Sequence, residues 1–292
     1  MNLHVPVLKT EVLELLKPTK GENYLDLTTG YGGHAQAVLE RTGNYQHSVL
    51  VDRDQFAIDH IKELFEPSGA IIRRQNFLEA CDQLIGEEKK FDLILADLGV
   101  SSPHLDIASR GFSFMADGPL DMRMDQSAPL SASEIVNSYD EEALAKIIKQ
   151  YGEEPAAKRV AKLIVQHRPY KSTLELARTL ESTLGWRRKG VHPATRVFQG
   201  IRIAVNDELN LLTAMLPKAM QLLSPGGRFG VITFHSLEDR EVKRTFNEAA
   251  GGGYDASFLS LTKKPITPTA EELVNNPRSR SAKLRGVAKI KK

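Results

Sequence analysis

The chain has 292 residues, 41% of them hydrophobic and 26% charged, which suits one large globular domain carrying an insertion and excludes a disordered or fibrous chain. Its net charge of +2 leaves the choice of partner open, and no apolar run is long enough to span a membrane. The start of the chain shows no charged segment followed by an apolar run, and the single cysteine, Cys81, cannot form an intrachain disulfide. Both features predict a cytoplasmic protein.

In chain order, helical periodicity over Val7–Leu16 stops before Lys17-Pro18. A strand over Tyr24–Thr28 then runs into Gly30-Tyr31-Gly32-Gly33, and a helix opens at Gly33 and continues to Glu40. Three glycines in four positions allow a sharp turn and a close ligand approach. The helix behind them aims its first N–H groups at whatever occupies the turn. In a doubly wound α/β protein that place is the nucleotide crevice. The turn lacks the third glycine of a G-x-G-x-x-G dinucleotide fingerprint. Asp26 reads in two ways, as a carboxylate facing a cationic ligand or as a cap on the turn.

A second strand, Ser48–Val51, ends at Asp52, where an acidic side chain can bind ribose hydroxyls. Dinucleotides and S-adenosylmethionine both carry such a ribose. A helix over Gln55–Phe65, a short strand over Ala70–Ile72, a helix over Asn76–Ile85 and a strand over Phe91–Ala96 complete the βα rhythm, which predicts a parallel sheet.

The rhythm then breaks. Residues 106–210 carry helical patterns at Glu141–Gln150, Ala156–Gln166, Ser172–Leu184 and Pro193–Val205, and no convincing strand. Thr173 is followed at the third position by Leu176, so no full capping box is expected there. A helix over Glu208–Leu223, a Ser224-Pro225-Gly226-Gly227 turn and a strong strand over Arg228–Phe234 follow. Ser236 reads as the N-cap of the next helix, with Asp239 at its third position. Ser257–Lys263 and Lys283–Ile290 suit an antiparallel hairpin. The expected architecture is a Rossmann-like α/β unit over 1–105 and 211–292, with a mostly parallel sheet, a C-terminal antiparallel hairpin and a helical insertion over 106–210.

Charge is clustered. From Asn276 to Lys292 there are seven basic residues and no acidic one, and Arg187-Arg188-Lys189 forms a second cluster. Such clusters suit phosphate contacts or a solvated surface equally. Cys81 lies on a predicted helix among apolar residues and reads as core filler. That argues against chemistry needing a thiolate that adds to a ring. No Cys/His grouping has zinc spacing, so no metal is expected. His235-Ser236 belongs to no G-x-S-x-G elbow, which rejects a hydrolase.

Several long segments resemble one family. They are Asp97-Leu98-Gly99-Val100-Ser101-Ser102-Pro103-His104-Leu105-Asp106, then Arg110–Phe114, Asp117–Asp125, His192–Gln199, Arg202–Leu209, His235–Arg240 and Asn276–Arg285. In this order, over nearly the whole chain, they resemble the MraW family. The resemblance implies a class I methyltransferase fold. It implies transfer of a methyl group from S-adenosylmethionine to the N4 amine of a cytidine in the decoding region of bacterial small-subunit ribosomal RNA. The implied partner is that RNA or the small ribosomal subunit, and a homodimer is left open.

Carried over by position, the resemblance places Gly32, Gly33 and His34 at the cofactor and Asp52 at its ribose. Phe77 and Asp97 flank its adenine and methionine parts. His104 stands where many members have glutamine, and either side chain can hydrogen-bond. The exocyclic amine of cytosine is a poor nucleophile, so a site must align it and accept its N–H groups. Asp97 is the expected acceptor or cofactor anchor, with Ser101 and Ser102 as neighbours. The serines can equally be shaping the loop. Arg110, Arg123 and Arg196 are candidate RNA contacts or surface ion pairs, and Phe112 and Phe114 candidate base-stacking or core residues. Other classes compatible with the chain are a non-catalytic S-adenosylmethionine-binding assembly factor, a methyltransferase on another substrate and, remotely, a nicotinamide oxidoreductase.

Overall fold

The computed structural model describes residues 6–185, 192–251, 253 and 256–291. The Arg187-Arg188-Lys189 cluster lies outside the described residues. The chain divides into two compact units, Met1–Gly99 with Leu209–Lys292, and Val100–Glu208.

The first unit opens with α1 (Lys9–Leu16), β1 (Tyr24–Asp26), α2 (Gly33–Thr42), β2 (Val49–Asp52), α3 (Gln55–Phe65), β3 (Ile71–Arg74), α4 (Phe77–Gly86) and β4 (Phe91–Asp97). The second unit contains α5 (Ser102–Asp106), α6 (Ala132–Ser138), α7 (Glu141–Gln150), α8 (Ala157–Gln166), α9 (Thr173–Leu184) and α10 (Thr195–Asn206). The chain continues through α11 (Glu208–Gln221) into β5 (Leu223–Thr233), α12 (Ser236–Ala250), β6 (Phe258–Ser260), α13 (Ala270–Asn275) and β7 (Lys283–Lys289).

The seven strands form one sheet in the order β3-β2-β1-β4-β5-β7-β6. The first five are parallel. β7 runs antiparallel between β5 and β6, with Leu259 opposite Ala288. The architecture is a Rossmann-like α/β sheet with a C-terminal antiparallel hairpin, as the sequence predicts.

Period-two alternation sends neighbouring strand residues to opposite faces. Leu25, Val49, Val51, Ile94, Phe229 and Val231 pack against α4, α11 and α12. Tyr24, Leu50, Leu93, Leu95 and Ile232 pack against α1, α2 and α3 on the other face. Helices on both faces bury the central strands, which is why β1, β2, β4 and the second half of β5 read as apolar runs, while the edge strands β3 and β6 stay partly exposed. The second unit has its own core of Leu144, Ile148, Val160, Ile164, Leu176, Leu180, Val197 and Ile201.

Two local expectations are corrected. The Ser224–Gly227 segment is not a free turn, because β5 begins at Leu223. Pairing with β4 jumps from Phe91–Leu223 to Leu93–Arg228, so the extra residues bulge within the strand. The N-cap of α12 is His235 rather than Ser236, and its ring accepts the Glu238 N–H while Glu238 receives the His235 N–H. As expected, α9 carries no full capping box: its N-cap Ser172 accepts the Glu175 N–H, but the Glu175 carboxylate takes the Lys171 N–H rather than that of Ser172.

Three residues of the C-terminal basic run, Lys283, Arg285 and Lys289, are absorbed by the fold. Arg285 and Lys283 bind opposite oxygens of Asp239 at 2.6 and 3.0 Å, and Lys289 donates to the Leu223 carbonyl at 2.9 Å. Burial pushes the Asp239 carboxyl up, but hydrogen bonds from Arg285 and Lys283 and their charges hold it below its usual range. Arg278, Arg280 and Lys291 are exposed.

Candidate functional site

The carboxyl ends of β1, β2 and β4 meet at the glycine turn, where a doubly wound sheet binds its ligand. The turn is built from backbone and carboxylate bonds. The Asp52 side chain accepts the Gly30 N–H at 2.8 Å through Oδ2 and the Asp54 N–H at 2.9 Å through Oδ1. Gly32 has φ +81°, and a Cβ there would lie 2.5 Å from Phe65 Cε2. Glycine at this position is therefore required by backbone and packing before any ligand is considered. Gly33 and His34 begin α2, with His34 buried. Phe77 begins α4 and is half-buried against the core, leaving part of its ring open.

Asp26 is fully enclosed. Its Oδ1 accepts the Thr28 N–H at 3.2 Å and its Oδ2 the Tyr24 hydroxyl at 2.7 Å. Of the two readings of Asp26, turn-capping is the one its contacts show. Burial pushes its carboxyl up to about 7.

Asp97 closes β4. Its N–H donates to Thr28 Oγ1 at 2.6 Å, and its Oδ2 lies 3.7 Å from His34 Nε2. Its Oδ1 is buried without a hydrogen-bond partner, while a quarter (25%) of the side chain remains exposed. Burial, then the charges of Asp26 and Glu238, hold this carboxyl well above its ordinary range. Three acidic side chains thus crowd one end of the sheet, and one of them keeps an oxygen for an incoming donor.

In the second unit, Ser101 is the N-cap of α5 and Ser102 its first residue. The Ser101 N–H donates to His104 Nδ1 at 3.2 Å, and Ser101 Oγ lies 3.0 Å from the same nitrogen. The His104 ring is buried and packs on Phe112 with centroids 4.7 Å apart. Ser101 and His104 therefore hold each other, which is what the loop-shaping reading expects. Phe112 is in the core, and Phe114 packs on Phe198 and His192 at 4.8 and 4.5 Å. Arg110 is buried and donates to the Arg123 and Met124 carbonyls. Arg123 forks onto Asp121 at 2.9 and 2.8 Å, and Arg196 donates to the Glu153 carbonyl at 3.1 Å. These side chains mainly build the unit.

Sequence reasoning missed Thr28, Glu238 and Asn206. Thr28 joins the glycine turn to Asp97, and the only signal is its place after the first strand. Glu238, buried, accepts the Phe234 N–H at 2.8 Å and adds its charge behind Asp97. Asn206 accepts the Met124 N–H at 2.8 Å and donates to the Met122 carbonyl at 2.7 Å, fixing the Asp121–Asp125 segment to α10. Cys81 lies in the core on α4, and burial pushes its thiol up to about 12, so no thiolate nucleophile exists there.

The MraW methylase family model matches residues 1–290. The chain belongs to the MraW methylase family. Curated relatives named Ribosomal RNA small subunit methyltransferase H include one from Cyanothece sp., 48% identical over 97% of this chain and 93% of its own length. The relative from Synechocystis sp. is 46% identical over 98% and 93%, and the one from Heliobacterium mobile 43% identical over 98% and 99%. A solved structure, a putative rRNA-methylase from Clostridium thermocellum, aligns over 99% of this chain and 100% of its own at 12% identity, with a TM-score of 0.47. This MraW methylase is an S-adenosylmethionine-dependent methyltransferase. The residues present fit that cofactor: the buried Asp97 Oδ1 lacks a partner beside two further carboxyls, an environment that suits a ligand bearing a sulfonium and an ammonium group.

Proposed function

We propose that this MraW methylase methylates the N4 amine of a cytidine in the decoding region of small-subunit ribosomal RNA. The observation that carries the reading is Asp97, a carboxylate at the end of β4 with one unpartnered buried oxygen and an open side. When bound, S-adenosylmethionine supplies the methyl group as an electrophile on its sulfonium sulfur.

The chain's residues do the rest. Gly32, Gly33 and His34 line the cofactor's approach to α2. Asp52, already holding the glycine turn, has lone pairs left for ribose hydroxyls. Phe77 offers a half-open ring to the adenine. Asp97 anchors the cationic end of the cofactor or accepts an N–H of the exocyclic amine. Accepting that N–H draws electron density onto N4, which is otherwise delocalised into the ring. The nitrogen gains a bond to carbon, the carbon–sulfur bond breaks, and one amine proton leaves to solvent. Ser101 and Ser102 follow Asp97 in the chain and shape the loop beyond it.

The domain reading goes with this. Residues 106–210 form the substrate-recognition insertion, and 1–105 with 211–292 the methyltransferase domain. The chemistry is polar and needs no thiolate, in keeping with the buried Cys81. The test is methyl transfer from labelled cofactor to small subunits from cells lacking this protein. N4-methylcytidine is the expected product, and methylation at cytosine C5 would refute the assignment.

A further inference from the structure

We propose that the exposed face of the α7–α8 hairpin, bearing Lys146, Lys149, Lys158, Arg159 and Lys162, docks on the phosphate backbone of the RNA substrate. The inference rests on the reading of that substrate as ribosomal RNA.

A connection of residues 151–156 joins α7 to α8, and the two helices pack against each other. Helices joined this shortly run antiparallel, so the second half of α7 lies beside the first half of α8. All five residues are exposed. The opposite side of α8, with Ala157, Val160, Ala161 and Ile164, is buried in the core of the second unit. The cations therefore share the outward surface of one hairpin.

The bland alternative is a solvated face stabilised by its own pairs. Several arginines elsewhere are paired: Arg73 with Glu87, Arg123 with Asp121, Arg202 with Glu208 and Arg244 with Glu241 and Glu248. This hairpin instead gathers four lysines and an arginine, without carboxylate partners among the described residues, on one outward face. α8 contains no acidic residue, and among the described residues Lys146, Lys149, Lys158 and Lys162 make no ion pair or hydrogen bond. Arg159 donates one N–H to the Thr183 carbonyl at 3.0 Å, which fixes its guanidinium and leaves other donors outward.

The placement also opposes helix stability. Lys158 and Lys162 are an i,i+4 pair of like charge. Lys158 and Arg159 stand in the first turn of α8, where cations oppose the helix dipole. The acidic residues of the two helices, Glu141 and Glu142, begin α7 at its far end, and of the two in the connection, Glu153 and Glu154, the latter is buried and paired with Arg196. Uncompensated, outward, mutually repelling cations complement a polyanion. Lysines read phosphate charge without reading sequence, so the surface supplies affinity and orientation, and base choice stays with the methyl-transfer site.

The test uses the full chain with Lys158→Gln/Lys162→Gln, and with Lys158→Arg/Lys162→Arg as the charge-keeping variant. The probes are small subunits from cells lacking the protein, and the same RNA stripped of protein. The glutamine variant should show KM for subunits raised several-fold with kcat held. The log–log slope of binding against salt should flatten by about 0.7 to 0.9 for each phosphate no longer neutralised. Affinity for S-adenosylhomocysteine and the melting temperature should not move, and the arginine variant should restore binding. The control Lys9→Gln/Lys62→Gln, at exposed lysines on α1 and α3, should change neither KM nor slope. An unchanged KM and slope in the glutamine variant overturns the proposal. So does an effect confined to intact subunits and absent on stripped RNA, which would assign the face to an acidic ribosomal protein. If wild-type protein neither binds nor methylates subunits, the substrate reading itself fails, and that outcome is distinct from both.

Discussion

Asp52 ties the end of β2 to the glycine turn through Gly30: its Oδ2 accepts the Gly30 N–H at 2.8 Å. The same carboxylate holds the Asp54 N–H at the start of α3. One side chain thus fixes the two loops that the proposed function sets beside the cofactor's ribose. Asp52→Ala removes both bonds and leaves a part-buried N–H without its acceptor. A hydrogen bond to a charged group contributes about 1.5–3 kcal/mol. Affinity for S-adenosylhomocysteine should therefore fall about tenfold to a hundredfold by calorimetry, with a lowered melting temperature. An unchanged affinity would remove Asp52 from the cofactor site.

Asp97 should show a trade between stability and activity. Its ionised form is opposed by burial and by Asp26 and Glu238, so the folded carboxyl sits well above its usual range. A group of that kind loses stability as the pH rises from its unfolded value through its folded one. Asp97→Asn should raise the melting temperature of the ligand-free protein, more at pH 8.5 than at pH 6. Turnover should fall at least about a hundredfold with the loss of the acceptor. A variant that loses activity and stability together would make Asp97 a structural residue.

Asp26 gives the ligand-free protein a pH-dependent stability. Its folded carboxyl titrates at about 7 against an ordinary 3.8. Between those values the folded chain holds a proton that the unfolded chain has released. The stabilisation is complete below the unfolded value and is lost as pH rises through the folded one. Its share of the slope reaches at most about 1.4 kcal/mol per pH unit in that window. Denaturant titrations from pH 5 to 8 should show a slope in the wild type, and Asp26→Asn should reduce it. An equal slope in both would place the titrating group elsewhere.

Gly32 is required by its backbone conformation and by packing against Phe65. Gly32→Ala forces a Cβ to 2.5 Å from the Phe65 ring at φ +81°. The expected destabilisation is about 1–3 kcal/mol. Adding Phe65→Leu should recover the steric part but not the backbone part. If the double variant is no more stable than the single one, the clash with Phe65 is not the cause.

Most of the sheet is legible in the sequence because its strands are buried on both faces and its helices are amphipathic. Alternation of apolar β segments with helical periods locates β1 to β4, and the Asp97 segment marks the end of β4. What the sequence hides is what depends on three-dimensional partners. His235 caps α12 through its ring nitrogen, a role for which the neighbouring Ser236 has the more usual side chain. α6 is too short to show a clear period, although Ser131 accepts the Glu134 N–H at its start. Ser224–Gly227 has the composition of a turn, and only pairing with Phe91 draws its flank into β5. The C-terminal cations look like one basic tail until Asp239 claims two of them. The candidate site is half legible: acidic strand ends announce themselves, whereas Thr28 and Glu238 act through contacts that no spacing predicts.

The most direct test is transfer of a labelled methyl group from S-adenosylmethionine to small ribosomal subunits purified from cells lacking this protein, read by nucleoside mass spectrometry. The account predicts N4-methylcytidine with wild-type protein and at most a trace with Asp97→Asn. Label in any other nucleoside, or no label from protein that binds the cofactor, would contradict it.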